Sequence, residues 1–210
     1  MDLNTVSARR SPVRRLAQLV GGLTLYGASM GLMVRGALGL NPWDTLHEAL
    51  SERTGLTFGL VTGLVGAVVL LCWVPLRQRP GIGTVANILV IAVAVDGTLA
   101  LVDPPEAMAV RIALMLGGVV LNGLATATYI GIRLGAGPRD GLMTGLAART
   151  GLSIRVVRTG IELAVLAVGW LLGGTVGVGT VVYALAIGPL TQAFLPWVTW
   201  RAPAPTTTAA

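Results

Sequence analysis

The chain has 210 residues, of which 54% are hydrophobic and only 11% are charged, and its mean hydropathy is +0.78. Soluble domains carry about a quarter charged residues, so the composition excludes an ordinary soluble domain and predicts an integral membrane protein. The net charge of +6 does not predict nucleic-acid binding, because the basic residues are all arginines in short blocks between long apolar stretches.

Six apolar windows are long enough to cross a bilayer as helices, since a span needs about 20 such residues. In chain order they cover residues 16–37, 57–76, 82–102, 108–132, 155–173 and 177–198. Residues 1–15 form a basic N-terminal segment, and residues 199–210 form a polar tail that we expect to be disordered. Twelve of the fifteen arginines lie on one side if the N-terminus is cytoplasmic. The positive-inside rule therefore predicts a multi-pass protein of the bacterial plasma membrane with both termini in the cytoplasm.

The two halves of the chain are repeats of each other. Residues 21–101 align without a gap with residues 117–197, so equivalent positions are 96 residues apart, and about 25 of the 81 pairs are identical. Each repeat, 16–102 and 108–198, contains three predicted spans, an odd number, so the second repeat must enter the membrane from the opposite side. The sequence thus predicts an all-α membrane protein with six transmembrane helices in two inverted three-helix repeats.

Each repeat also contains a helical segment that is too short to span the membrane. The first segment begins with Asn41, Pro42, Trp43 and Asp44. The second begins with the equivalent Gly137, Pro138, Arg139 and Asp140. Proline suits the first helical position and aspartate the first turn, and each segment runs for about three turns to Gly55 or Gly151. We expect interfacial or re-entrant half-helices. Either the motif caps a surface helix, its aspartate satisfying the first amides, or the helix N-terminus and the aspartate face a substrate.

A second repeated motif, Gly-x-Gly-Thr, comprises Gly81, Gly83 and Thr84 and the equivalent Gly177, Gly179 and Thr180. Glycine-rich loops can bind phosphate, but small residues inside apolar segments are typical of close helix contacts in membranes. We interpret the motif as a packing device.

Polar side chains inside the predicted spans are candidates for a substrate or ion path, because burying an ionisable group in a membrane is costly. Glu162 lies about two turns into the fifth span and four residues after Arg158, a spacing that permits an ion pair. Asp96, near the outer end of the third span, is expected at the interface. The complete candidate set is Asp44, Asp140, Glu162, Arg158, Asn87 and Asn122.

The chain contains one cysteine, Cys72, and one histidine, His47. A single cysteine forms neither an intrachain disulfide nor a thiolate metal site, and a lone histidine argues against a histidine-based metal or catalytic site. His47 is interpreted as an interfacial side chain. Since no cofactor motif and no pairing of a nucleophile with a base is visible, we predict no enzyme activity, no cofactor and no metal.

With Gly39 to Asp44, Arg53 to Leu56 and Gly81 to Thr84 all repeated 96 residues later, the chain resembles the YczE and YitT group of bacterial integral membrane proteins. The resemblance extends from about residue 14 to residue 198. It implies a membrane protein, and it implies no particular substrate or catalytic residue.

Three functions are compatible with these observations. The first is a small transporter or permease-like protein for an unidentified small molecule or ion, which the inverted repeat favours by architectural analogy. The second is a non-transporting accessory protein that assists the assembly or stability of a partner. The third is the substrate-binding membrane subunit of an energy-coupling transporter. All three place the chain in the lipid bilayer, leave a membrane protein partner or a homo-oligomer open, and involve no nucleic acid.

Overall fold

The computed structural model describes residues 12–199, which form eight α-helices and no strand. The helices are α1 (Pro12–Gly36), α2 (Pro42–Thr54), α3 (Phe58–Leu76), α4 (Ile82–Leu101), α5 (Met108–Gly131), α6 (Pro138–Thr150), α7 (Ile154–Leu171) and α8 (Val178–Val198). Their bounds follow the predicted windows closely, except that α1 begins at Pro12. Most of the predicted N-terminal segment and tail, residues 1–11 and 200–210, lies outside the described residues.

Five of these helices, α1, α3, α4, α5 and α8, are long and apolar enough to cross a membrane. The remaining predicted span corresponds to α7, which is not among the five because its 18 residues include Arg155, Arg158 and Glu162. The other two helices, α2 and α6, have 13 residues each and are the predicted short segments.

The helices pack in equivalent pairs. The most extensive contact is between α1 and α5. Helix α4 packs on α1, and the equivalent α8 packs on α5. Small residues allow these close approaches, since a Cβ atom at Gly27 would lie 2.7 Å from the Ile91 carbonyl oxygen and one at Gly118 would lie 2.6 Å from Met33 Cγ.

Each short helix packs against a long helix of the other half, α2 on α7 and α6 on α3. Arg53 Nε donates to the Leu172 carbonyl oxygen at 2.7 Å, and the equivalent Arg149 donates to the Pro75 carbonyl oxygen. Trp73 Nε1 in α3 also donates to the Pro138 carbonyl oxygen at the start of α6, at 2.9 Å. The two halves are therefore interlocked through their short helices.

The Gly-x-Gly-Thr motifs form a second pair of contacts between the halves. The Gly179 N–H donates to the Leu38 carbonyl oxygen at 2.7 Å, and the Gly83 N–H donates to the equivalent Leu134 carbonyl oxygen at 3.1 Å. Thr84 Oγ1 donates to the Ala136 carbonyl oxygen at 2.7 Å. The motif thus holds backbone against backbone, and its partner is the loop that leads into the short helix of the other half.

Two equivalent arginines bind the C-terminal ends of the central helices. Arg15 Nη2 donates to the Ile132 carbonyl oxygen after α5, at 2.8 Å, and Arg111 Nε donates to the Gly36 carbonyl oxygen at the end of α1, at 3.0 Å. Carbonyl groups at a helix end lack partners within the helix, so each arginine satisfies the helix of the opposite half.

The contact between α3 and α4 has no counterpart between the equivalent helices α7 and α8. Along α3, Gly59 and Gly66 lie against α4, and a Cβ atom at Gly59 would lie only 2.1 Å from the Ala92 carbonyl oxygen. The equivalent positions of α7 are Arg155 and Glu162. Along their described lengths, α7 and α8 make almost no contact. The glycine face therefore closes one side of the molecule, and the charged face leaves the other side open.

Gly39 packs directly against the Gly-x-Gly-Thr motif. We therefore expect a methyl group added at Gly39 to destabilise the protein. Gly39 has φ +113, and an added Cβ would lie 2.6 Å from Gly177 N, so Gly39→Ala should cost at least about 2 kcal/mol of stability. Gly117→Ala, at a helical glycine with no atom within 4 Å of an added Cβ, is the control and should be neutral or stabilising. The measurement is thermal unfolding in detergent; equal unfolding temperatures for the two variants would contradict the packing described.

Candidate functional site

The N-terminal ends of α2 and α6 meet inside the molecule. The Arg139 guanidinium, near the start of α6, lies over the Trp43 ring of α2 with 4.9 Å between its carbon and the ring centroid. Arg139 Nη2 also lies 3.7 Å from Asp44 Oδ1. Asp44 is fully buried, whereas 23% of the Arg139 side chain is exposed. The two short-helix motifs predicted from the sequence thus come together in one polar cluster.

Asn41 organises the start of α2. It is the N-cap, as the motif predicts, and its Oδ1 accepts from the Asp44 N–H at 3.0 Å. Its Nδ2 donates to Asp44 Oδ2 at 2.5 Å. The amide of Asp44 is therefore satisfied by Asn41, and the Asp44 carboxylate is directed toward the Asn41 amide, Arg139 and His47. Asn41 is the cap in this arrangement, and Asp44 is a buried charge.

His47 is fully buried beside this cluster, with 1% of its surface exposed, so its interpretation as an interfacial side chain was wrong. Its Nδ1 lies 3.1 Å from Thr62 Oγ1 and 3.4 Å from Asp44 Oδ1. Since the Thr62 hydroxyl donates to the Phe58 carbonyl oxygen, Thr62 Oγ1 accepts from His47, and Nδ1 carries the proton. In the neutral ring Nε2 is then a hydrogen-bond acceptor.

The start of α6 is built differently. Its N-cap is Gly137, which offers no side-chain cap, and Asp140 Oδ2 accepts from the Tyr129 hydroxyl at 2.5 Å. A Cβ atom at Gly137 would lie 3.2 Å from Asp140 Oδ2 and 3.4 Å from Asn87 Nδ2. Glycine at this position therefore lets α4 and α5 bring an amide and a phenol close to the Asp140 carboxylate.

Three buried polar atoms on the first two turns of α2 have no hydrogen-bond partner, although Asp44 Oδ1 has its ion contacts with Arg139 and His47. They are Trp43 Nε1, Asp44 Oδ1 and His47 Nε2, on residues that are at least nine-tenths buried. Buried polar atoms are nearly always hydrogen-bonded in folded proteins. A cluster of three such atoms indicates a place where a ligand or water is accommodated.

Three cavities converge on this cluster. The first, of about 70 Å³, lies between the cluster and α3 and α4, and both Trp43 and His47 line it. The second, of about 210 Å³, extends toward α7 and α8. The third, of about 750 Å³, lies at the start of α7. Residues that line both the first and the second cavity are Tyr26, Trp43, Tyr129, Arg139 and Asp140. Asp140 lines all three cavities and so stands at their junction.

The predicted pair on α7 lines the second and third cavities. Arg158 Nε lies 3.0 Å from Glu162 Oε1, with side-chain exposures of 52% and 33%; Arg158 lines both cavities and Glu162 the second. The second cavity also contains all three tyrosines of the chain, Tyr26, Tyr129 and Tyr183. The pair is therefore part of a cavity wall.

Asn122 does not line the second cavity, but it binds Tyr183, which does. Its Oδ1 accepts from the Tyr183 hydroxyl at 3.0 Å, and its Nδ2 donates to Ser29 Oγ at 2.8 Å. Because Asn122 is fully buried, its role is to position Tyr183.

Asp96 of α4 is half-buried beside the start of α3 and lines a cavity there, and its place at the membrane interface stays a prediction. Its Oδ1 accepts from the Gly59 N–H at 2.6 Å, and its Oδ2 accepts from the Thr57 hydroxyl at 2.5 Å. The carboxylate therefore joins α4 to the N-terminal end of α3. The equivalent residue of α8 is Gln192.

The structure thus brings together most of the predicted site residues and separates the rest. Those in or beside the cluster and its cavities are Asn41, Pro42, Trp43, Asp44, Asn87, Gly137, Pro138, Arg139, Asp140, Arg158 and Glu162. The six Gly-x-Gly-Thr residues lie at the starts of α4 and α8 instead, where they pack on the loops before the opposite short helices. Sequence reasoning missed His47, Tyr26 and Tyr129. Among the residues that the structure describes, no three His, Cys, Asp or Glu side chains gather as a metal site would require.

The fold and the apolar helices define an integral membrane protein whose described part consists of α-helices joined by loops. Within that class, a family model described as "Family of unknown function (DUF6198)" matches residues 13–196, and the chain belongs to this family. The resemblance to the YczE branch is confirmed, since the "Uncharacterized membrane protein YczE" of Bacillus subtilis is 34% identical over 177 residues, covering 83% of this chain and 82% of that protein.

Two further relatives have similar lengths. An "Uncharacterized protein" of Haemophilus influenzae is 42% identical over 182 residues, covering 87% of this chain and 84% of its own length. The "Uncharacterized protein YyaS" of Bacillus subtilis is 25% identical over 181 residues, covering 84% of this chain and 90% of its own length. No solved structure matches the chain.

The two ion contacts of the site should differ in strength because they differ in burial. In double-mutant cycles of thermal stability in detergent, Asp44→Asn with Arg139→Gln should give a coupling energy of about 1–3 kcal/mol, since Asp44 has no access to solvent. Arg158→Leu with Glu162→Gln should give less than about 1 kcal/mol, because both side chains are partly exposed. A stronger coupling in the α7 pair than in the central pair would contradict this description of the site.

Proposed function

We propose that the chain is a small secondary transporter of the bacterial plasma membrane. It has six membrane-spanning helices in two inverted three-helix repeats, with both termini in the cytoplasm. The observation that carries the proposal is the single polar cluster in which both repeats meet, with open space leading to it between α7 and α8 and tight packing between the equivalent α3 and α4.

The reciprocal contacts support the inverted repeat. Gly83 and Gly179, and likewise Arg15 and Arg111, bind backbone of the opposite half at equivalent positions. Arg53 and Arg149 also bind backbone of the opposite half, at carbonyl groups that are one residue out of register. Such exchange is what a two-fold relation between the halves requires, and an odd number of spans per half makes that relation inverted. In this arrangement α2 and α6 enter from opposite faces as re-entrant half-helices, and their N-terminal ends meet near the midplane.

The unequal cavities at the two ends support a transport path. The cavity at the start of α7 has a volume of about 750 Å³, while the cavity at the start of α3 has about 380 Å³. Glu48 and Phe58 line the smaller cavity, and the equivalent Thr144 and Ile154 line the larger one. Equivalent entrances of different size are expected of a transporter that is open on one side at a time.

In this proposal the α3–α4 contact is the closed gate. Gly59 and Gly66 let α3 lie directly on α4, and Asp96 ties the two helices together at the N-terminal end of α3. Opening of that side requires Asp96 to release Thr57 and Gly59, while α7 closes on α8. Because Arg155 and Glu162 stand where α3 has glycines, this closure is looser than the α3–α4 contact. Alternation of the two openings would carry access to the central site from one face to the other.

The proposal is tested by transport. Metabolite profiles of a deletion strain and its parent identify candidate compounds, and their uptake is then measured in proteoliposomes containing the purified full-length protein. We expect uptake with the unaltered protein and with Glu106→Gln, at an exposed loop residue, and at least about a tenfold loss with Asp140→Asn, since a tenfold change corresponds to 1.4 kcal/mol.

Uptake that occurs only with a copurifying ATPase would instead indicate the substrate-binding subunit of an energy-coupling transporter. A strain phenotype with no uptake of any altered metabolite would favour the accessory role, and would overturn the transporter.

A further inference from the structure

Asp140 is the open carboxylate of the central site. It lines all three converging cavities and accepts a hydrogen bond from the neutral Tyr129 hydroxyl. Within the described residues, no Arg or His nitrogen lies within 4.0 Å of it, although Asp44 and Glu162 each have an ion contact. Arginines line the same cavities, Arg139 the first two, Arg158 the second and third, and Arg133 and Arg155 the third. Asp140 has no ion contact of its own, so it is the group that can pair with a positively charged occupant.

The aromatic rings around the site also favour a positively charged ligand. Tyr26, Trp43 and Tyr129 line both the first and the second cavity, and the Tyr26 and Tyr129 rings meet edge to face with centroids 6.0 Å apart. Aromatic faces attract cations, and desolvation strengthens the attraction. The protein already uses one of these rings in this way, because the Arg139 guanidinium lies over Trp43.

Two buried atoms without hydrogen-bond partners indicate which hydrogen-bonding groups the ligand must have. His47 lines the first cavity, and its buried Nε2 is an acceptor that requires an N–H or O–H group. Trp43 lines the same cavity, and its buried Nε1 is a donor that requires an acceptor such as oxygen. A protonated amine or guanidinium group that also carries an oxygen would satisfy both atoms, whereas a quaternary ammonium group would leave His47 without a partner.

Helix N-terminal ends favour anions in general, but here each of the two ends has a carboxyl group of its own in the first turn. The first-turn residues are Asp44 in α2 and Asp140 in α6, and Asn41 Oδ1 already accepts from the Asp44 amide. An anionic ligand would therefore lie against two carboxylates.

Arg139 is placed in the site by a buried ion contact and a ring contact, without a hydrogen bond to Asp44. Its closest approach to Asp44 is 3.7 Å, which is longer than a hydrogen-bonded ion pair, and its guanidinium stacks on Trp43 between the first and second cavities. A ligand of similar charge and size could replace it on the ring.

We propose that the central site binds an organic monocation with N–H donors, an amine or guanidinium compound, and that Arg139 occupies part of this site until the cation arrives. This inference rests on the proposed function, of which it names the substrate class. Binding of the cation displaces Arg139 from Trp43 and connects the two cavities that the stacked pair separates.

Binding is measured by titration calorimetry on the purified full-length protein in detergent, with methylguanidine and ethanolamine as probes. Tetramethylammonium, which has the same charge and no N–H, and acetate, an anion, are the controls. We expect both probes to bind and both controls to bind at least about tenfold more weakly. Asp140→Asn should weaken binding of the probes about tenfold, Arg139→Gln should strengthen it about tenfold by removing the internal competitor, and Glu106→Gln should leave it unchanged.

Tighter binding of acetate than of either probe, or weaker probe binding in Arg139→Gln, would overturn the inference. If Arg139→Gln does not fold, Asp140→Asn decides, and unchanged probe binding in that variant would also overturn it. Binding without uptake in proteoliposomes would support the cation site and count against transport. Uptake of an anion only would support transport and overturn the cation site.

Discussion

The backbone contact between each Gly-x-Gly-Thr motif and the loop before the opposite short helix is the constraint on which the rest of the structure depends. Gly179 N–H to the Leu38 carbonyl oxygen and Gly83 N–H to the Leu134 carbonyl oxygen leave no room for side chains. These contacts fix where α2 and α6 begin, and therefore where their N-terminal ends meet. The Arg139 contacts with Trp43 and Asp44 follow from that placement, as does the convergence of cavities at Asp140.

The differences between the two repeats shape the structure as much as their similarity does. Glycines on α3 permit a dry, close contact with α4, while the equivalent Arg155 and Glu162 of α7 need solvent or polar partners. The same substitutions explain why α7 is not among the five apolar helices. A duplicated unit has thus diverged so that one side packs through small residues and the other contains a polar cavity.

The sequence predicted the helices well because apolar length, proline at the first helical position and glycine after the last one are local signals, as Pro42 and Gly55 show. The repeat also identified the motif residues. It could not predict that His47 would be buried against Thr62, since that contact depends on how α2 lies on α3. The convergence of three tyrosines from α1, α5 and α8 likewise has no periodic signature. The contacts of Asp96 could not be predicted either, because its partners, Thr57 and Gly59, lie at the start of another helix.

The central claim is that α2 and α6 approach one site from opposite faces of the membrane. It is tested most directly with single cysteines at two equivalent exposed positions, Glu52→Cys at the end of α2 and Ala148→Cys at the end of α6, on a Cys72→Ala background. Intact cells are treated with an impermeant maleimide. The account predicts that position 52 is labelled from outside and that position 148 is labelled only after permeabilisation. Labelling of both positions from the same side would contradict it.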